Sequence, residues 1–314
     1  MRITSTHAIL VLIFSCWRPA SSATIRSGYD YPTTMRVAPG QVVTLFVPGA
    51  GKHFSGRIEA RNLPLPVSLG GLSVTLRRHV LAPPTPLPIF SVASVSACPQ
   101  GVELCGNGNS VYAAITVQIP FELDPGLPTQ PVLGALVVTE NGADVASVAF
   151  LLVPYQIHVL RACDSILLTP FTPTSLCQPI VTHADGTLVS SLSPAKGGEI
   201  LVLYAVGLGA VSPAVRTGES TNTSARSAPM AVVFDFTPNE SPKPPPLLAE
   251  RAIYSGLTQG FVGLYQVNFK VPAIPPNTPK CSSEVRSNLT VTIGVGPGLW
   301  GPSFDGAGIC VKPD

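Results

Sequence analysis

The sequence predicts an all-β fold made of two tandem immunoglobulin-like β-sandwich units, and three observations predict it. The chain holds 28 Gly and 34 Pro in 314 residues, a density of helix-breaking residues that leaves little room for long helices. Runs of β-branched and aromatic residues of strand length recur between Gly- and Pro-rich turns, several with a period of two, and no window of a dozen residues carries a clean helical stripe. Two segments of the first half also reappear in the second. The balance of 45% hydrophobic and 11% charged residues excludes a polar disordered chain, and the absence of periodic glycine excludes a collagen-like one. The length suits two domains, each large enough to bury a core.

Residues 1–23 read as a signal peptide, with Arg2 as the positive start, an apolar run from Ala8 to Phe14, and small residues at Ser21, Ser22 and Ala23. That run is too short to span a bilayer, which takes about 20 residues. Pro, Gly or polar residues interrupt every later apolar run, so no transmembrane segment is expected. Cleavage after Ala23 removes Arg2 and Arg18, leaving 17 of the 19 basic residues against 17 acidic ones. A mature chain of zero net charge has no electrostatic pull toward nucleic acid. Ile13-Phe14-Ser15-Cys16 loosely follows a lipobox that would acylate Cys16; Phe14 is bulky for that pattern, so lipid anchoring is the lesser alternative to release or surface display.

The first unit, 24–160, carries strand signals at Gln41–Val47, Leu72–Leu76, Val111–Ile119 and Leu133–Thr139. The second, 161–314, carries them at Glu199–Val206, Met230–Phe236, Leu264–Val271 and Asn288–Val295. In Leu264–Val271 the residues Tyr265, Val267, Phe269 and Val271 alternate with Gln266, Asn268 and Lys270, the pattern of a half-buried strand. Gly40–Gly51 aligns without gaps on Gly198–Gly209, an offset of 158 residues, and Ile115–Pro120 aligns on Val267–Pro272, an offset of 152. Such self-similarity implies one structural unit used twice. Each copy opens with a strand ending in a Gly-x-Gly turn, Gly49/Gly51 and Gly207/Gly209, where positive φ is expected. Each later strand stops at a proline, Pro120 or Pro272, which cannot donate to a continuing ladder. Side chains alternate along a strand, so Phe46 and Tyr204, equivalent at the first offset, are expected to share one facing.

Loss of Cys16 with the leader leaves Cys98, Cys105, Cys163, Cys177, Cys281 and Cys310. An even count in an exported chain favours disulfides over metal or thiol chemistry. Proximity in sequence favours Cys98–Cys105, Cys163–Cys177 and Cys281–Cys310, with the other connectivities left open.

Several motifs together resemble the Solibacter-type C-terminal domain found in secreted acidobacterial proteins. They are Ala38-Pro-Gly-Gln-Val-Val-Thr-Leu-Phe46, Leu65-Pro-Val-Ser-Leu-Gly-Gly-Leu-Ser-Val74, Ala114-Ile-Thr-Val-Gln-Ile-Pro-Phe-Glu-Leu123, Ser193-Pro-Ala-Lys-Gly-Gly-Glu199 running into Leu203-Tyr-Ala-Val-Gly-Leu-Gly209, and Gly256 through Asn268 to Pro272. The likeness covers roughly Val37 to Val295 and departs from the family in the cysteine-bearing loops and after Gly296. It implies a β-sandwich, export, a surface or matrix setting, and no catalytic residues.

Reactive constellations are sparse. Of five histidines, His7 belongs to the leader, and His53, His79, His158 and His183 show neither HxH nor HExxH spacing. There is no G-x-S-x-G elbow, and Gly49-Ala-Gly-Lys52 lacks the rest of a phosphate loop. Glu122-Leu-Asp124 reads as a turn, and Arg77-Arg78 as a patch too small for nucleic acid. His183-Ala-Asp-Gly-Thr187 is the most suggestive polar group, on a hairpin signal, without the spaced oxygens calcium requires. No cofactor or metal is expected. The sequence thus points to an exported non-catalytic module for adhesion, structure or ligand binding, whose partner is an extracellular protein or glycan. The alternative is a carbohydrate-binding accessory or an undetected hydrolase, with Trp300, Tyr112 and Phe304 as candidate sugar-stacking aromatics.

Overall fold

The computed structural model describes residues 21–22, 24–26, 35–53, 55–78, 83–95, 112–126, 132–162, 164, 177–246, 248–295 and 303–313. Among these residues there is no helix, and the strands form four sheets arranged as two sandwiches. The fold is all-β, as the composition and the period of two predict.

The first unit is built on β1 (Val42–Pro48), β2 (Leu72–Arg77), β3 (Ile89–Val95), β4 (Tyr112–Gln118), β5 (Val132–Glu140) and β6 (Ala143–Leu152). One sheet runs Thr24–Arg26, β1, β4, β3, Arg57–Glu59; the other runs β6, β5, β2, Ser68–Leu69, with Thr85–Pro86 also on β2. Met35–Val37 and Ser21–Ser22 lie parallel to β6, so Ser22 and Thr24, on either side of the expected cleavage point, enter different sheets. β5 and β6 turn at Asn141-Gly142, both with positive φ, the two-residue hairpin loop that asparagine and glycine favour. Val43, Leu45 and Val47 of β1 face Leu72, Val74 and Leu76 of β2 across a buried core.

The second unit repeats the plan with β7 (Ile200–Val206), β8 (Ala231–Asp235), β9 (Tyr254–Leu257), β10 (Tyr265–Lys270), β11 (Leu289–Gly294) and β12 (Phe304–Ile309). One sheet runs His158–Val159, β7, β10, β9; the other Glu250–Arg251, β8, β11, β12. Because His158–Val159 pairs with β7, strand pairing passes from one unit to the next over 153–157, a few residues ahead of the 160/161 boundary read from the sequence. Leu201, Leu203 and Ala205 of β7 and Tyr265, Val267 and Phe269 of β10 point into a second core.

The repeat holds at the level of register. Leu45 pairs with Ile115 on β4, and its equivalent Leu203 pairs with Val267, the equivalent of Ile115, on β10. Phe46 and Tyr204 alternate with these core residues and so share the face turned away from the core. All four turn glycines, Gly49, Gly51, Gly207 and Gly209, have positive φ.

The two units meet along a continuous seam. Val42, Leu160 and Val206 are buried together, with Phe90, Ile180, Tyr204 and Leu264 packed around them. Gln118 Oε1, fully buried, accepts the Gly218 N–H at 2.7 Å, and Leu65 N–H donates to the Gly218 carbonyl at 2.9 Å. Thr217 donates its N–H and its hydroxyl to Glu122 and accepts the Phe121 N–H at 2.8 Å. Burial opposes the Glu122 charge, but these bonds from Thr217 hold its carboxyl below the usual range. The Glu122 turn is thus a junction contact. No helix among the described residues is long and apolar enough to cross a membrane.

Candidate functional site

The described residues among those singled out from the sequence do not converge on one site. Trp300, His79, Cys98, Cys105 and Cys163 lie outside the described residues. Tyr112 opens β4 in the first unit, whereas Phe304 opens β12 in the second, opposite Gly294 and half-buried. These two aromatics therefore sit in different units. Cys177 is disulfide-bonded. Cys281 and Cys310 are joined, with Cα atoms 6.0 Å apart, tying the loop before β11 to the residue that follows β12. The Gly49-Ala-Gly-Lys52 turn is filled by a carboxylate: Glu140 Oε1 accepts the Gly51 N–H at 2.9 Å and lies 3.0 Å from His53 Nδ1.

Two histidine clusters remain. His158 is buried, with Nε2 2.8 Å from Asp164 Oδ2 and Nδ1 3.3 Å from Asp305 Oδ2. Burial opposes its charge, but the bonds and fields of the two aspartates outweigh that and push its pKa from 6.5 to about 9. Asp305 Oδ2 also accepts the Val159 N–H at 2.8 Å, and Arg161 lies 3.5 Å from Asp305 Oδ1. Imidazolium and guanidinium are thus balanced by two carboxylates, which clamps the His158–Val159 strand of one sheet to β12 of the other. A histidine held as a cation at neutral pH is not a general base.

His183, Glu199 and Ser193 have the outline of a nucleophile, base and orienting acid. His183 Nδ1 lies 2.5 Å from Glu199 Oε1, and Nε2 lies 3.2 Å from the Ser193 hydroxyl and 3.1 Å from the Ser193 carbonyl. Chemistry at the serine would need a bare Nε2 to take its proton. A carbonyl can only accept, so the nitrogen facing it carries hydrogen, and the nitrogen facing Glu199 does too. Burial opposes this cation, but the bonds to Glu199 and the Ser193 carbonyl and the charges of Glu199 and Asp185 together outweigh it and raise the His183 pKa. Asp185 Oδ1 accepts from the Thr187 N–H and hydroxyl, and the Gly186 N–H donates to the His183 carbonyl, forming the Asp-Gly turn read from the sequence. The cluster is a staple across this hairpin. Among the described residues no group of three or more His, Cys, Asp or Glu could hold a metal ion.

Among the described residues, clefts open on the second unit. A cleft of about 1080 Å³ carries Lys196, Lys270 and Lys312 with Glu250, and one of about 640 Å³ adjoins the His183 staple. A third, of about 420 Å³, is lined by Ser224, Tyr254, Thr258, Gln259, Gln266 and Asn268. The alternation of Leu264–Val271 was legible in the sequence; that its polar face borders a cleft was not, because Ser224 comes from a loop well before β9 in the chain.

No family model matches the chain, and no curated protein matches it either. Among solved structures it is similar to the C-terminal domain of the Streptococcus agalactiae AgI/II polypeptide BspA, at 12% identity and a TM-score of 0.20, covering 93% of this chain and 97% of that one. It is also similar to the Escherichia coli adhesin FdeC, at 10% identity and 0.19, covering 94% of this chain and 66% of that one. The Yersinia pseudotuberculosis adhesin InvE gives 10% identity and 0.17, covering 91% and 58% respectively. The assignment of two sandwiches rests on the strand pairing described above.

Proposed function

We propose that this chain is an exported, non-catalytic pair of β-sandwich units that binds an extracellular protein or glycan at or near a cell surface. The observation that carries the reading is how the reactive side chains are used. His158 and His183 are both held as cations by carboxylates, Glu122 is bound at the junction, and the Gly-rich turn already contains Glu140. Each of these described groups is engaged in a contact that supports the fold. The leader-like segment and the resemblance to secreted acidobacterial domains support export. The seam between units supports a module that presents fixed surfaces, since binding by a preformed surface avoids an ordering cost.

The test pairs location with retention. The full chain, expressed with its own leader, is expected in the medium or surface fraction. The purified mature chain is expected to be retained saturably on immobilised extracellular polysaccharides or matrix proteins, without turnover of chromogenic esters or glycosides. Turnover that disappears in His183→Ala would overturn the non-catalytic reading.

A further inference from the structure

We propose that the 420 Å³ cleft on the outer face of the second unit is a binding site for a neutral sugar with adjacent free hydroxyls; this deepens the ligand-binding reading above and rests on it. The site follows from strand parity. On β10, Tyr265, Val267 and Phe269 enter the core, so Gln266 and Asn268 must project from the opposite face. Register places Tyr254 beside Asn268 and Gly256 beside Gln266 on β9. The space that a Gly256 side chain would take is filled by the 225–226 backbone and the Tyr254 hydroxyl, with the Ala225 carbonyl oxygen 2.3 Å and that hydroxyl 2.7 Å from where a Cβ would stand, so a close approach of backbone fixes the wall beside the amides.

The hydrogen-bonding inventory defines the ligand. Gln266 Nε2 donates to Asn268 Oδ1 at 3.2 Å, which orients both amides. Gln266 Oε1 and Asn268 Nδ2 then make no hydrogen bond among the described residues, leaving one acceptor and one donor on adjacent outward positions. The Thr258 hydroxyl, also on the lining, is buried with no partner, a state that costs free energy unless a ligand or water answers it. Paired hydroxyls of a sugar ring, each both donor and acceptor, match such a set. Tyr254 supplies an aromatic flank whose pose is already fixed: its hydroxyl donates to the Leu257 carbonyl at 3.0 Å, and Arg226 lies 4.8 Å from its ring centroid. Among the described residues no charged side chain lines the cleft, which favours an uncharged ligand. Glycoside cleavage takes two carboxylates, so bound sugar would be held and not cut.

The experiment uses the mature chain and calorimetric titration with neutral oligosaccharides (gluco-, manno- and xylo-series) and, in parallel, acidic oligogalacturonates. The expected result is binding of at least one neutral series, weakened about tenfold or more by Gln266→Ala and by Asn268→Ala, with the unfolding midpoint of each variant close to that of the parent. Phe304→Ala, on a strand of the other sheet of this unit, is expected to leave affinity unchanged. Failure of every neutral series to bind overturns the proposal, as does neutral binding indifferent to both amide variants. Binding confined to the acidic series and lost in Lys270→Ala would also overturn it and assign the ligand to the lysine cleft. If sugars fail while matrix proteins still retain the chain, only this site is lost; if both fail, the broader reading falls with it.

Discussion

At Gly49 no atom lies within 4 Å of where a Cβ would stand, whereas at its equivalent Gly207 a Cβ would collide with the Gln156 carbonyl. Both residues have positive φ, +76° and +77°, so each carries the same intrinsic strain toward alanine, about 1–2 kcal/mol. Only the second adds a backbone clash. Gly49→Ala is therefore expected to cost about 1–2 kcal/mol and Gly207→Ala clearly more, measured by urea unfolding; equal losses would mean that the segment at 154–156 yields freely. Tyr265 makes a related point. Its hydroxyl is the buried donor to the Gly209 carbonyl, and burial pushes its phenol pKa far up. Tyr265→Phe should cost about 1–3 kcal/mol, the toll of an unpaired buried carbonyl, and a loss near zero would show that water replaces the hydroxyl. Ala113 is the equivalent position in the first unit, so this bond belongs to one copy alone.

Among elements, the strands that aligned in the sequence, β1 with β7 and β4 with β10, also keep one register. That the copies share one facing was legible because side-chain alternation is a local property, but which face of β1 turns to the core was not, since Val42, Thr44 and Phe46 are buried as well as Val43, Leu45 and Val47. The two Gly-x-Gly turns were legible for the same reason. The Asn141-Gly142 hairpin carried an equally plain signal that the sequence reading passed over. What could not be read was any site assembled across the chain. His158 and Asp305 are 147 positions apart, and nothing local marks them as partners; the Gln266–Asn268 amides looked like ordinary solvent-facing residues until β9 and the 224–226 loop were placed beside them. The His158 clamp also has a consequence for pH. Its folded pKa of about 9 lies above the unfolded 6.5, so its stabilisation is complete below about pH 6.5 and is lost as pH rises toward 9, up to about 3 kcal/mol in all. Asp305, half-buried but held below its usual pKa by His158, works the other way and stabilises only above its unfolded range near 3.8. Urea midpoints of the parent are expected to fall between pH 6.5 and 9.5, and His158→Gln, which keeps polarity without the charge, should flatten that fall. Parallel profiles for the two proteins would remove His158 as its cause.

For the whole molecule, the decisive question is whether the two sandwiches behave as one body. Units within a chain usually move unless their interface is large and apolar, and here the seam combines apolar packing with direct bonds. Val42, Leu160 and Val206 are shared between units, Phe121 of the first packs against the core of the second, and Gln118 is bonded across the gap with no exposure to solvent. Gly263 marks how tightly the surfaces fit: its Cβ would lie 2.7 Å from Val42 Cγ2, 3.1 Å from Gln118 Nε2 and 3.1 Å from the Gly40 carbonyl, at a φ of +64°. A side chain there is wedged against the first unit while the second keeps its own core. The parent is expected to melt in a single calorimetric transition whose van't Hoff and calorimetric enthalpies agree. Gly263→Val, which adds both a clash at the seam and backbone strain, is expected to split that transition into two, with the solution radius of gyration rising as the units part. Two transitions in the parent would show that the seam does not couple the units. A variant that melts later than the parent, or in one step at the same temperature, would show that the first unit gives way at Val42 without losing its partner.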